Sequence, residues 1–95
     1  MKETEFIFEW DLKKELENIR KHHISFNKAI EVFKDPNAIY LEDDKHSKIE
    51  NRFYAVGKIS SEQIITVRYT LRRNVIRVFG AAHWRKWRKF YEQNS

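Results

Sequence analysis

Three β-prone runs crowd the second half of the chain: Asn51 to Ile59, Ile64 to Thr70 and Val75 to Ala81. Ser60-Ser61-Glu62 and Leu71-Arg72-Arg73-Asn74 separate them, and both connectors are short enough for hairpins. This half is therefore predicted to fold as an antiparallel meander. Strand alternation places Arg52, Tyr54, Val56 and Lys58 on one side of the first strand and Val75, Arg77 and Phe79 on one side of the last. Phe53, Ala55, Ile59, Ile76 and Val78 then form the opposite side, to be covered by helices. In the middle strand Ile65, Val67 and Tyr69 read as core, while Thr66 and Arg68 look outward.

The first half supplies the cover. Phe6-Ile7-Phe8-Glu9-Trp10 reads as a strand, and Asp11 can cap the helix that follows. Leu12, Leu16, Ile19 and His23 fall at helical spacing and are expected to be its core stripe, with Lys13, Lys14, Glu17 and Arg20 toward water. His22-His23-Ile24 breaks the period. Ser25 can cap a second helix whose Phe26, Ala29, Ile30 and Phe33 share a side, and Asp35-Pro36 stops it. Ala38 to Leu41 is a short strand candidate, followed by a polar loop from Glu42 to Lys48. From His83 to Asn94, Trp84, Trp87, Phe90 and Tyr91 recur at helical spacing with Arg85, Lys86, Arg88 and Lys89 among them, an amphipathic basic helix. That spacing favours packing of Trp84, Trp87 and Tyr91 over base stacking. The whole reads as one α+β domain over residues 1–95: an antiparallel sheet with two N-terminal helices packed on one face and a C-terminal basic helix.

Composition narrows the chemistry. Cysteine is absent from the 95 residues, which excludes disulfides, zinc ribbons, iron–sulfur sites and thiol nucleophiles. No stretch approaches the roughly 18 apolar residues of a membrane span, and Met1 to Trp10 lacks the pattern of a signal peptide; a cytoplasmic protein without membrane partners is expected. The four histidines have no metal-ligand spacing, and no phosphate-binding glycine loop or serine elbow occurs, so neither metal nor cofactor is expected. Gly57 and Gly80 read as sheet irregularities.

The charge is divided unevenly. Met1 to Glu50 holds 9 Lys/Arg and 12 Asp/Glu, net −3, whereas Asn51 to Ser95 holds 10 and 2, net +8. A polyanionic partner is the expectation for such a half. If the polar sides of the three strands coincide, Arg52, Arg68 and Arg77 share one surface with Arg72 at its rim, and crowded guanidinium groups fit best beneath an anion. RNA cleavage suits such a surface, because the 2′-hydroxyl is an internal nucleophile. Side chains need only move protons and stabilise a charged phosphorus centre. His83, Tyr91, Glu50 and Lys86 are candidate proton handlers near the cations, while His22, His23 and His46 lie in the acidic half and read as helix-end or loop residues.

The sequence also resembles a known family. Phe8-Glu9-Trp10-Asp11, Asn18-Ile19-Arg20-Lys21-His22, Ile24-Ser25-Phe26, Ala29 to Phe33 and Asp35-Pro36 look like the opening of BrnT toxins, the ribonuclease half of a bacterial type II toxin–antitoxin pair. Glu50-Asn51-Arg52-Phe53, Tyr69-Thr70-Leu71-Arg72 and Ile76-Arg77-Val78 resemble its sheet motifs in the same order, and Trp84-Arg85-Lys86 through Tyr91-Glu92 is similar to the ending of one branch. The resemblance implies a RelE-like fold and RNA cleavage that halts translation. It further implies neutralisation by a BrnA-like antitoxin with a ribbon-helix-helix domain, in a toxin–antitoxin heterotetramer. It makes Arg52, Arg72 and Arg77 the expected phosphate ligands. From the residues themselves, His83 or Glu50 is expected to move protons and Lys58, Arg68, Arg85, Lys86 and Arg88 to hold RNA. One departure stands out. Many members carry an arginine where this chain has Ala82, leaving His83 or Arg85 to take its place. The alternative from another class is a non-catalytic basic module that binds an acidic protein or nucleic acid.

Overall fold

The computed structural model describes residues 5–43 and 51–94. Its elements, in chain order, are β1 (Ile7–Trp10), α1 (Leu12–His22), α2 (Phe26–Ala29), a 3-10 turn (Ile30–Lys34), β2 (Ile39–Glu42), β3 (Arg52–Lys58), β4 (Ile64–Arg72), β5 (Val75–Ala82) and α3 (Arg85–Asn94). The strands form one sheet in the order β1-β5-β4-β3-β2. From β3 to β5 it is the expected meander, which β2 extends by pairing antiparallel to β3. β1 closes the other edge by pairing parallel to β5, with Ile7 opposite Val75 and Trp10 opposite Val78. The antiparallel reading is thus corrected at one edge. A strand separated from its neighbour by most of the chain leaves no hairpin signal between them.

One side of the sheet carries the core. Ala55, Val67, Tyr69, Ile76 and Val78 pack with Phe26, Ala29 and Val32, and Phe33 meets Phe8 and Tyr69 at ring distances of 5.2 Å each. The 3-10 turn rides so close to β3 that a Cβ on Gly57 would lie 3.0 Å from Val32 Cγ1 and 3.3 Å from the Val32 carbonyl oxygen. Gly57 is therefore a point of close approach, not an irregularity in the sheet. Gly80 does sit beside one, opposite Arg68 where the β4–β5 register shifts.

The stripe expected to bury α1 faces outward. Leu12, Leu16 and Ile19 are 65%, 59% and 39% exposed, and the buried residue of this helix is Asn18. The cause is that β1 spans only part of β5, which leaves an unpaired backbone edge that a polar side chain can complete. Asn18 Oδ1 accepts from the Ala81 N–H at 3.1 Å, and Asn18 Nδ2 donates to the Ile24 carbonyl at 3.0 Å. Glu15, also on α1, accepts from Trp10 Nε1 and from the backbone N–H of Phe26 at the start of α2. Periodicity revealed that the helix is amphipathic but gave no way to tell which side docks. His23, placed in the same stripe, instead ends the helix in a left-handed conformation (φ 58°).

Candidate nucleic-acid interface

The second side of the sheet is where the cations gather. Pairing puts Arg52, Thr70, Arg77 and Glu9 on one register line across β3, β4, β5 and β1, and Tyr54, Arg68 and Gly80 on the next. Register partners share a side, so Arg52, Arg68 and Arg77 lie on one surface, with Arg72 farther along β4 at the hairpin end. α3 covers the remainder of that side. Tyr91 is buried, and Trp84 and Trp87 meet the Tyr54 ring at 5.9 and 5.8 Å. The packing role read from their spacing holds.

These cations divide among three hollows. The first, about 370 Å³, lies between α1 and the sheet; Arg52, Arg68, Phe79 and Trp84 form its floor, and Lys14, Asn18, His22 and the ion-paired Glu17 and Lys21 form its α1 wall. Arg52 and Arg68 each hold their guanidinium carbon over the Phe79 ring, at 4.9 and 5.0 Å, and Arg68 also lies 5.7 Å from the Trp84 ring. The aromatic faces offset part of the repulsion between two adjacent cations. The second hollow, about 430 Å³, adjoins it across the Arg52–Thr70–Arg77 line; Arg72, Arg73, Arg77 and Glu9 are among its lining residues. Here Arg77 is ion-paired with Glu9. The third, about 760 Å³, lies along α3 and is lined by Lys58, His83, Arg85, Arg88 and Lys89 with Glu62 and Glu92. Lys86 leans on the Trp87 ring instead, at 4.8 Å.

The expected site residues are therefore only partly brought together. Arg52 and Arg68 share one hollow, Arg72 and Arg77 the next, and His83 stands in the third with Lys58, Arg85 and Arg88. Neither His83 nor Arg85 fills the place left by Ala82, which lines the first hollow with Arg52 and Arg68. Glu50 lies outside the described residues. Three residues went unrecognised as site candidates: His22, Lys14 and Lys21. They belong to the acidic half of the sequence, and only the docking of α1 at the β5 edge brings them to the arginines.

The scaffold around the hollows is pinned by carboxylates. Asp35, after the 3-10 turn, accepts from the Lys58 N–H at 2.7 Å, the Tyr91 hydroxyl at 2.6 Å and the Asn37 N–H at 2.8 Å. Burial works to raise this carboxyl, but the hydrogen bonds outweigh it and hold it below the usual aspartate value. Burial, and then the bond to Asp35, push Tyr91 up to about 12. Tyr54 is likewise raised, by burial and by its hydrogen bond to Asp43.

Residues 10–88 match the family described as the ribonuclease toxin, BrnT, of type II toxin–antitoxin systems. The chain belongs to the BrnT family. That membership gives it the toxin role of such a system, with ribonuclease activity and an antitoxin partner as the family's attributes. The fold agrees. The 1.1 Å crystal structure of the Brucella abortus ribonuclease toxin BrnT superimposes with a TM-score of 0.61 over 86% of this chain and 97% of that one, at 21% identity. No curated protein sequence matches significantly.

Proposed function

We propose that this BrnT-family chain is a metal-independent endoribonuclease of RelE-like architecture that arrests translation in the cytoplasm. A BrnA-like antitoxin with a ribbon-helix-helix domain holds it in check within a heterotetramer. The observation that carries the catalytic part is the first hollow, which two guanidinium groups braced on Phe79 line together with His22, Lys14 and the Lys21–Glu17 ion pair of α1. In the reaction the RNA 2′-oxygen attacks the adjacent phosphorus and loses its proton to a base. The 5′-oxygen leaves with a proton from an acid, giving a 2′,3′-cyclic phosphate and a free 5′-hydroxyl. Arg52 and Arg68 stabilise the charge that builds on the phosphoryl oxygens, a role that fixed donors perform better than mobile ones. His22, whose ring nitrogens can take up or give a proton, is the proton carrier. Arg72 and Arg77 hold the neighbouring phosphate, with Glu9 released from Arg77 as RNA arrives. Lys58, Arg85 and Arg88 grip the strand farther on.

The test is incubation of the purified chain with single-stranded RNA in the presence of a chelator. Cleavage to cyclic-phosphate ends, lost in His22→Gln while RNA binding persists, is the expected result. RNA retarded on a gel but never shortened identifies a non-catalytic basic module instead. Loss of cleavage in His83→Gln with His22→Gln still active moves the chemistry to the α3 hollow.

A further inference from the structure

α1 has two working sides, and only one of them belongs to the hollow. Lys14, His22 and the Lys21–Glu17 pair line the hollow with the arginines. On another side Leu12, Leu16 and Ile19 stand at i, i+4 and i+7, between 39% and 65% exposed, on a helix whose position Asn18 and Glu15 have already fixed. Other exposed apolar residues, such as Tyr40 and Phe90, belong to separate elements, and single exposed apolar residues call for no explanation. A contiguous helical stripe of this kind marks a protein contact. The charge beside it indicates which kind. Lys13 and Arg20, seven positions apart, run along one border of the stripe, and neither forms a salt bridge among the described residues. The acids of this helix are occupied elsewhere: Glu17 pairs with Lys21 at 3.0 Å, and Glu15 accepts from Trp10 and Phe26.

We propose that the antitoxin anchors here, through an amphipathic helix whose apolar side covers Leu12, Leu16 and Ile19 and whose acidic edge meets Lys13 and Arg20. The inference rests on the toxin reading and goes beyond it, because it separates the anchor from the RNA hollow. An amphipathic helix lying along such a stripe repeats a common mode of recognition, in which i, i+3, i+4 and i+7 positions carry the contact. The anchored partner is then free to extend a second segment across the arginines on the far side of α1. Neutralisation and catalysis become separable by mutation.

The experiment uses the purified chain and the recombinant product of the reading frame adjacent to its gene, tested as the antitoxin. Titration calorimetry is run on the wild type, on Leu12→Asp/Leu16→Asp and on Lys13→Glu/Arg20→Glu, with RNA cleavage and melting temperature measured for each. Both double variants should bind the antitoxin at least about tenfold more weakly, the loss expected on disrupting a well-packed anchor, while cutting RNA at the wild-type rate. The charge reversal keeps the test intact if the aspartates disturb folding. Wild-type affinity in both variants overturns the anchor and leaves the toxin reading standing. A wild-type chain that forms a dimer abolished by Leu12→Asp/Leu16→Asp overturns it in favour of a second copy of the chain. A wild-type chain that neither cleaves RNA nor binds the antitoxin overturns the toxin reading and the anchor together.

Discussion

The first hollow and the α3 hollow are both cationic, yet they are built differently. In the first, Arg52 and Arg68 rise from central strands and hold their guanidinium carbons over the Phe79 ring, so their positions are set by the sheet. Along α3, Arg88 stands on a helix surface, 65% exposed and 3.6 Å from Glu92, while Lys58 lies 3.9 Å from Glu62. The first arrangement fixes charge in advance, as a transition state requires. The second carries long solvated side chains with weak local partners, each pair worth little. Such charges attract RNA from a distance and grip its phosphates without choosing a geometry. On the proposed reading, the cations braced on an aromatic ring serve chemistry and the solvent-exposed ones serve affinity.

The largest effect expected from this contrast is in turnover. Arg68→Ala should lower kcat for RNA cleavage by about a hundredfold or more, the scale on which a preorganised charge-stabilising group acts, with a small change in melting temperature. Arg85→Ala should barely move kcat. Equal losses in kcat from the two substitutions would erase the distinction. The next largest effect tests how the first hollow is held. Asn18→Ala removes both partners from two backbone groups at the α1–β5 junction, so it should cost about 1–3 kcal/mol, read as a lower urea midpoint. Cleavage should fall more than stability predicts, because Lys14, Lys21 and His22 lose their placement. An unchanged midpoint would mean that α1 is positioned by something other than Asn18.

How far these regions could be read in advance follows the same division. The meander and its alternation were legible because each strand carries its own period and the connectors are short, so Arg52, Arg68 and Arg77 were rightly placed on one side of the sheet. Its parallel edge was not, since β1 and β5 are joined by no local signal. The α1 stripe misled for a physical reason: a period reports that a helix has two sides, and a buried hydrogen-bonded asparagine was able to outrank three leucine-class residues in deciding which side docks. His22 was overlooked with it. Charge counted along the sequence assigned it to the acidic half, and only the docking of α1 at the open β5 edge carries it to the arginines. His83 lies beside the cations in sequence, and its side chain lines a different hollow from Arg52 and Arg68.

The anchorage of α3 gives a smaller, pH-dependent contrast. Asp35 joins this helix to β3 through Tyr91 and the Lys58 N–H, and its carboxyl is held below its usual value. A depressed carboxyl adds stability above its unfolded value of about 3.9 and loses it as pH falls through the folded value. Tyr91, pushed up to about 12, works in the other direction: its contribution is complete below the unfolded value of about 10 and disappears as pH rises toward about 12. Tyr91→Phe should therefore destabilise the chain by about 1 kcal/mol near neutral pH and flatten the alkaline loss seen in thermal melts between about pH 10 and 12. Because the first hollow does not depend on this bond, kcat at pH 7 should remain within about twofold of wild type once the protein is folded, a change of about 0.4 kcal/mol in barrier.

The smallest effect isolates the mobile cations. Arg88→Ala should reduce RNA affinity only a few-fold and lower the slope of log K against log salt by up to about 0.7, the share of one phosphate contact on a single strand. Cleavage at saturating RNA should be unaltered. The ion pair with Glu92 makes the slope more informative than the affinity itself. Removing Arg88 also frees a carboxylate that repels phosphate, so affinity can drop even where Arg88 never touches RNA. A slope equal to wild type would show that this arginine spends its charge on Glu92, and that RNA is held by the other cations.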